Sequence, residues 1–293
     1  QVNTYLAHVR HMLRGAYIDK PIVVDCAYGA ASRLAKKIFR ERAPEVIFIN
    51  SDEDGRKINV DCGSTRPRQL QDKVMETGAA LGFAFDGDAD RCIFVNEKGD
   101  IVDGDQIMLL CARALKREDQ LSGDTVVSTV MSNMGLEKAL LAEGVTMLRT
   151  PVGDKHVLRE MNEHGYDLGG EQSGHIIFHR LATTGDGLIT AAQVLGIVAR
   201  EKKPFSELTA LERSAQFLKN IRVPDKDAFF DSKVISDRVK AVEEQLGTEG
   251  RVVVRPSGTE PKVRVMVETW DETIAEKLCD EILDTVKAEL GSG

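Results

Sequence analysis

Apolar and polar positions alternate along the first two-thirds of the chain in a strand–helix rhythm. Pro21-Ile-Val-Val-Asp25 is a short apolar run that stops at an acid and a turn containing Gly29. A 3.6-residue pattern follows, with Leu34, Ala35, Ile38 and Phe39 on one face, and Val46–Ile49 reads as the next strand. Arg68–Gly78 reads as a helix, Leu81–Phe85 as a strand, and Cys92–Asn96 as its hairpin partner across the turn Glu97-Lys-Gly-Asp100. The rhythm restarts near Gly104, with helices over Ile107–Lys116, Met134–Glu143 and Lys155–His164. Strands are expected at Thr125–Val130, Val145–Leu148 and Ile176–Phe178. Gly144 and Gly165 fit the helix ends, and a strong helix over Gly187–Glu201 stops before Pro204.

The last third is patterned differently. Gln216–Val223, Arg251–Arg255 and Lys262–Glu268 read as strands, and Asp231–Gln245 and Asp271–Leu290 as helices. Strands grouped around helices without steady alternation indicate a small α+β unit. The expected architecture is α/β: two related α/β/α domains with mixed sheets, over residues 1–104 and 105–211, then a smaller α+β domain over 212–293.

Composition narrows the partners. The 39 Lys and Arg against 47 Asp and Glu leave a net charge of −8, which argues against nucleic acid as the main partner. The opening segment has no apolar signal core, and no apolar run approaches the ~18 residues of a membrane span. Five cysteines, none in a CxxC pair, fit reduced thiols and a cytoplasmic location.

Three loops carry candidate chemistry. In Asp86-Gly-Asp-Ala-Asp-Arg91, carboxylates stand at alternate positions after a strand. Such a triad repels itself unless a cation neutralises it, and an all-oxygen set suits a hard ion such as Mg²⁺; a solvated acidic turn is the alternative. Gly169-Gly-Glu-Gln-Ser-Gly-His175 again alternates Glu171, Ser173 and His175, groups able to bind sugar hydroxyls or move a proton. An ordinary hairpin loop is the alternative there. Arg255-Pro-Ser-Gly-Thr-Glu-Pro261, with Arg264, joins hydroxyls, loop N–H groups and two guanidinium forks, a donor set suited to a phosphate monoester; a polar β-hairpin turn with incidental arginines is the alternative. Lys155 and His156 open a helix, where anions are favoured, although solvated surface charge is the simpler reading of these two residues alone. In Thr183-Thr-Gly-Asp-Gly187, Thr184 or Asp186 is expected to cap the helix that follows.

In this order the loops resemble those of the α-D-phosphohexomutase superfamily over nearly the whole chain. Within it they are most similar to the bacterial phosphoglucosamine mutases, on VDGDQIM, TVMSNMGLEKAL, GGEQSGHIIF, TTGDG and RPSGTEPKVRVMVE. The resemblance implies interconversion of glucosamine 6-phosphate and glucosamine 1-phosphate through a phosphoserine and a 1,6-bisphosphate, with Mg²⁺ as cofactor. It implies Asp86, Asp88 and Asp90 as metal ligands, and Arg91, Lys155 and His175 in catalytic roles. Glu171 and Ser173 match sugar ligands, and Arg255, Ser257, Gly258, Thr259 and Arg264 match phosphate ligands. Two positions depart from the family pattern: Lys155 stands for a usual Arg, and Ala89 for a usual Gly, which is strained if the loop needs positive φ. No Ser-His-Asn-Pro-like stretch occurs. The chain is therefore expected to span the second to fourth domains and to lack turnover by itself. Phosphoglucomutase or phosphomannomutase activity, or a non-catalytic sugar-phosphate-binding module, are the alternatives.

Overall fold

A computed structural model describes residues 2–52, 54–257 and 260–291. Residues up to Ser132 together with Leu136–Leu211 form one compact unit, and Asn133–Gly135 with the chain from Glu212 form a second.

Unit 1 opens with helix α1 (Val2–Met12), which the sequence pattern had not marked. A first layer contains β1 (Ile22–Asp25), α2 (Ala31–Phe39), β2 (Val46–Ile49), α3 (Arg68–Thr77), β3 (Leu81–Phe85), β4 (Cys92–Asn96) and β5 (Ile101–Val102). The sheet order is β2-β1-β3-β4-β5; β1 pairs in parallel with β2 and β3, and β4 is antiparallel to both neighbours. The loop between β3 and β4 is the triple-Asp segment itself. The turn over residues 97–100 instead joins β4 to the short β5, because Asn96 Oδ1 accepts the N–H groups of Lys98 and Asp100 at 2.9 and 3.0 Å.

The second layer follows the same plan. It contains α4 (Gly104–Arg117), β6 (Thr125–Thr129), α5 (Met134–Ala142), β7 (Thr146–Thr150), α6 (Asp154–His164), β8 (Leu168–Gly170), β9 (Ile176–Phe178), α7 (Gly187–Glu201) and α8 (Phe205–Leu208). Its sheet order, β7-β6-β8-β9, repeats β2-β1-β3-β4 with the same parallel and antiparallel pairings. In both sheets the chain leaves the central strand to one side and returns on the other. Such a reversal leaves a crevice beyond the strand ends, the usual ligand position in an open α/β sheet. The two layers share one hydrophobic cluster that runs from Leu6 through Phe83 and Phe94 to Leu195 and Phe205. Phe94 and Phe205, from different layers, have ring centroids 5.9 Å apart.

Strand β8 departs from the sequence reading, which had placed residues 169 and 170 in a loop. A Cβ at Gly169 would come within 2.5 Å of Met161 Sδ and 2.8 Å of Val157 Cγ1 on α6. The strand therefore carries glycine to admit the helix, at the expense of β-propensity.

Unit 2 is an antiparallel sheet of β10 (Ala215–Arg222), β12 (Lys262–Thr269) and β11 (Gly250–Pro256), in the order β10-β12-β11, with α9 (Lys233–Leu246) and α10 (Glu272–Leu290). Val263, Val265 and Val267 of β12 share a core with Ile235 and Val242 of α9 and Leu278, Ile282 and Val286 of α10. Period-two alternation sends Arg264, Met266 and Glu268 to the other face. The five cysteines are all buried and unpaired. Among the described residues no helix is long and apolar enough to cross a membrane.

Candidate active site

The acidic loop closes the β3–β4 hairpin at the crevice between β1 and β3. Its carboxylates meet as the spacing predicts: ligand oxygens of Asp86, Asp88 and Asp90 lie within 4.8 Å of one another. Asp86 is buried, Asp90 half-buried and Asp88 exposed. Ala89 takes φ +63°, so the loop does need a left-handed residue there, and a non-glycine one costs on the order of 1 kcal/mol. The loop is held from outside. Ala30 N–H donates to Gly87 O at 2.9 Å, and Gly187 N–H donates to Ala89 O at 2.9 Å.

Burial pushes the Asp86 carboxyl above its ordinary pKa, and contact with Asp90 adds to the shift. The Arg91 N–H, which donates to Asp86 Oδ1 at 3.2 Å, opposes it. The Arg91 guanidinium lies 3.7 Å from Asp86 and 3.9 Å from Asp90. Asp90 Oδ1 is buried with no hydrogen-bond partner. Three converging carboxylates, one with a buried oxygen that makes no hydrogen bond, suit a hard divalent cation, so these residues fit Mg²⁺.

The sugar-type loop, residues 171–175, closes the β8–β9 hairpin. It is thus the topological counterpart of the acidic loop in the second sheet. The two counterparts are bonded to each other. Cys92 N–H donates to Gly174 O at 3.0 Å, and His175 Nδ1 lies 3.1 Å from Asp90 Oδ2. An ionised carboxylate only accepts, so in this contact Nδ1 is the donor. Glu171 is partly buried and its Oε1 accepts the Gly153 N–H at 3.1 Å. That bond draws the start of α6, with exposed Lys155, to the same loop. Ser173 is exposed at the loop tip.

Two further segments bear on the loops: VDGDQIM, whose residues had no expected role, and TTGDG, where Thr184 or Asp186 was expected to cap a helix. In VDGDQIM, Gly104 N–H donates to Gln172 O at 3.0 Å, and Gln172 Nε2 donates to Asp105 Oδ2 at 3.2 Å. A Cβ at Gly104 would stand 2.0 Å from Glu171 O. Gly104→Ala should therefore destabilise unit 1 by about 1–3 kcal/mol despite alanine's better helix propensity, because backbone has to move. Thermal unfolding followed by circular dichroism measures this, and an unchanged midpoint would show the loop to be loose. In TTGDG, the cap of α7 is Asp186, not Thr184: Asp186 Oδ1 accepts from Leu188 and Ile189 N–H at 2.9 and 3.0 Å. Only the repeated glycines signalled these close approaches.

In unit 2, Arg255 and Arg264 are register partners on β11 and β12. Burial, and then the charge of Arg264, hold the Arg255 guanidinium below its ordinary pKa. Arg264 Nε is buried with no hydrogen-bond partner, and its Nη2 reaches Glu260 only at 3.6 Å. Ser257 is buried, with its N–H donating to Lys262 O at 2.8 Å. Gly258 and Thr259 lie outside the described residues. Two facing cations with an unsatisfied donor have the chemistry to suit a doubly charged anion.

Paired α/β/α layers with a reversal crevice in each, and an arginine-bearing α+β unit, define a class. Residues 3–99 match the phosphoglucomutase/phosphomannomutase alpha/beta/alpha domain II, residues 103–215 its domain III, and residues 218–285 its C-terminal domain. The chain belongs to the phosphoglucomutase/phosphomannomutase family. Within that family it is similar to the phosphoglucosamine mutase of Symbiobacterium thermophilum, at 50% identity over 92% of this chain and 60% of that protein. The chain thus spans about 60% of the length of this relative. A phosphoglucomutase/phosphomannomutase family protein from Burkholderia thailandensis superposes with a TM-score of 0.78 at 27% identity, over 98% of this chain and 64% of that one. The N-acetylphosphoglucosamine mutase of Aspergillus fumigatus, in complex with GlcNAc-6P and magnesium, has the same fold: TM-score 0.80, 20% identity, over 96% of this chain and 68% of that one.

Proposed function

We propose that this chain is the metal-, sugar- and phosphate-recognising part of a cytoplasmic phosphoglucosamine mutase, with domains over residues 1–104, 105–211 and 212–293. The observation that carries the reading is the direct bonding of the acidic loop to the sugar-type loop, through Cys92–Gly174 and Asp90–His175. Phosphoryl transfer at a sugar requires a charge-neutralising centre beside the groups that hold the sugar hydroxyls.

Asp86, Asp88 and Asp90 would hold Mg²⁺, which as a Lewis acid withdraws charge from a phosphoryl group. Arg91 and Lys155 add positive charge for that group. Glu171 and Ser173 accept and donate to sugar hydroxyls, and so orient the ring. Arg255, Arg264 and the Ser257–Thr259 loop bind phosphate, with Gly258 and Thr259 taken from the motif alone. The phosphoryl donor in this reading is a phosphoserine, and the intermediate a glucosamine 1,6-bisphosphate. The chain by itself binds substrate without turning it over, since its sequence has no Ser-His-Asn-Pro-like stretch.

Calorimetry with glucosamine 6-phosphate, glucose 6-phosphate and mannose 6-phosphate tests the substrate class. Tightest binding of the aminosugar is expected, and preference for either neutral sugar would move the assignment to phosphoglucomutase or phosphomannomutase. A turnover assay on glucosamine 1-phosphate with a bisphosphate activator should show none with this chain. Conversion by it would overturn the division of labour.

A further inference from the structure

We propose that Gly185 and His175 act as a positioning pair for Asp90, setting the direction of the carboxylate that would hold the divalent cation. The inference rests on the metal reading above and deepens it. Glycine at 185 is not demanded by the backbone, whose φ lies outside the left-handed region. It is demanded by space. A Cβ at this position would stand 2.3 Å from His175 Nε2 and 2.5 Å from both Cδ2 and Cε1. The Gly185 backbone therefore packs against the face of the imidazole near Nε2.

The His175 side chain is 5% exposed. Nε2 is buried with no hydrogen-bond partner among the described residues, so the ring is fixed by packing on that side. Its one polar contact is on the opposite side, Nδ1 to Asp90 Oδ2 at 3.1 Å. Asp90 is thereby divided: Oδ2 is engaged by His175, and Oδ1 is buried without a hydrogen bond, 3.9 Å from the Arg91 guanidinium. A histidine that fixes one carboxylate oxygen orients the other toward a cation. This role needs no contact between His175 and the sugar.

The loop that carries Gly185 is also anchored to the acidic loop. Gly187 N–H holds Ala89 O, and a Cβ at Gly187 would stand 2.6 Å from Arg91 O. Asp186, between the two glycines, accepts the Tyr5 hydroxyl at 2.8 and 3.0 Å. One short loop thus grips the acidic segment by its backbone and by the ring that orients Asp90. A methyl group at 185 has to displace the ring, because the loop behind it cannot withdraw.

The test uses Mn²⁺ as the probe and electron paramagnetic resonance titration of the chain as it exists. Gly185→Ala should weaken Mn²⁺ binding by about 10- to 100-fold, the usual effect of disturbing a group that orients a ligand. His175→Ala should weaken it similarly. In the double variant the absent ring leaves room for the methyl, so the loss should equal that of His175→Ala alone. His175→Asn, whose amide can donate from the Nδ1 position, should recover most of the affinity; this arm does not depend on Gly185→Ala folding. Unchanged affinity in Gly185→Ala, multiplied losses in the double variant, or equal losses in His175→Asn and His175→Ala would overturn the pair. No Mn²⁺ binding by the unaltered chain would overturn the metal reading itself, and the pair with it.

Discussion

Arg251→Ala is expected to lower the stability of unit 2 by about 3–5 kcal/mol, the cost of leaving a buried charge without its partner. The charge is Glu268, fully buried on the sheet face opposite the helices. Arg251 stands directly across from it in the β11–β12 register, with Nη2 and Nε at 2.5 and 2.7 Å from Glu268 Oε2. The other oxygen, Oε1, accepts the Ser214 hydroxyl at 2.5 Å and the Met134 N–H at 2.6 Å. Those two donors remain in the variant, but neither carries charge, so the carboxylate keeps its desolvation without the ion that offsets it. The only tryptophan of the chain, Trp270, follows β12 directly and reports on this unit. Urea unfolding followed by its fluorescence should show the midpoint fall with little change in slope. Replacing both Arg251 and Glu268 by methionine should cost less than Arg251→Ala alone. A larger loss in the pair would mean that the Ser214 and Met134 donors, not the ion pair, carry the clamp.

Nothing in the local sequence marks this clamp. Arg251 and Glu268 each sit in a β-patterned run, and only the register of the sheet makes them neighbours. The same limit separates what was legible from what was not. Val46–Ile49, Ile176–Phe178 and Gly187–Glu201 are strands and a helix at the residues expected, because apolar period and bounding turns agree there. Strand β8 was invisible because its glycines answer to α6, not to strand propensity. The convergence of Asp86, Asp88 and Asp90 was legible, since alternate positions of one tight loop lie close whatever surrounds them. The contact between Asp90 and His175 was not, for it joins hairpins 85 residues apart in the chain. Gly185 shows the general difficulty. A glycine needed for positive φ can be guessed from a turn, whereas one needed for space is understood only when its neighbour is known.

Arg255→Met is expected to change binding and stability in opposite directions. Arg255 and Arg264 face each other across two strands. Like charges in that position destabilise a sheet by roughly 0.2–1 kcal/mol. The depressed pKa of Arg255, from burial and from Arg264, is the same penalty seen in proton affinity. Removing one cation while keeping a side chain of similar reach should therefore stabilise unit 2 by up to about 1 kcal/mol and raise its unfolding midpoint. A phosphate dianion reverses the sign. It would turn the repulsion into two charge-assisted bonds and satisfy the unpartnered Arg264 Nε. Loss of one fork should then cost about 2–5 kcal/mol of affinity for glucosamine 6-phosphate, on the order of 30- to several-thousand-fold. Ligand linkage gives a cross-check within one experiment. Saturating sugar phosphate should stabilise the unaltered chain, as binding to the folded state alone requires, and should leave the variant nearly unmoved. Unfolding by Trp270 fluorescence and calorimetry in the same buffer measure both signs. A variant both less stable and unimpaired in binding would make Arg255 a structural residue. A gain in stability with loss of affinity is what a preformed anion site produces, because its repulsion is tolerated in the free protein and relieved by the ligand.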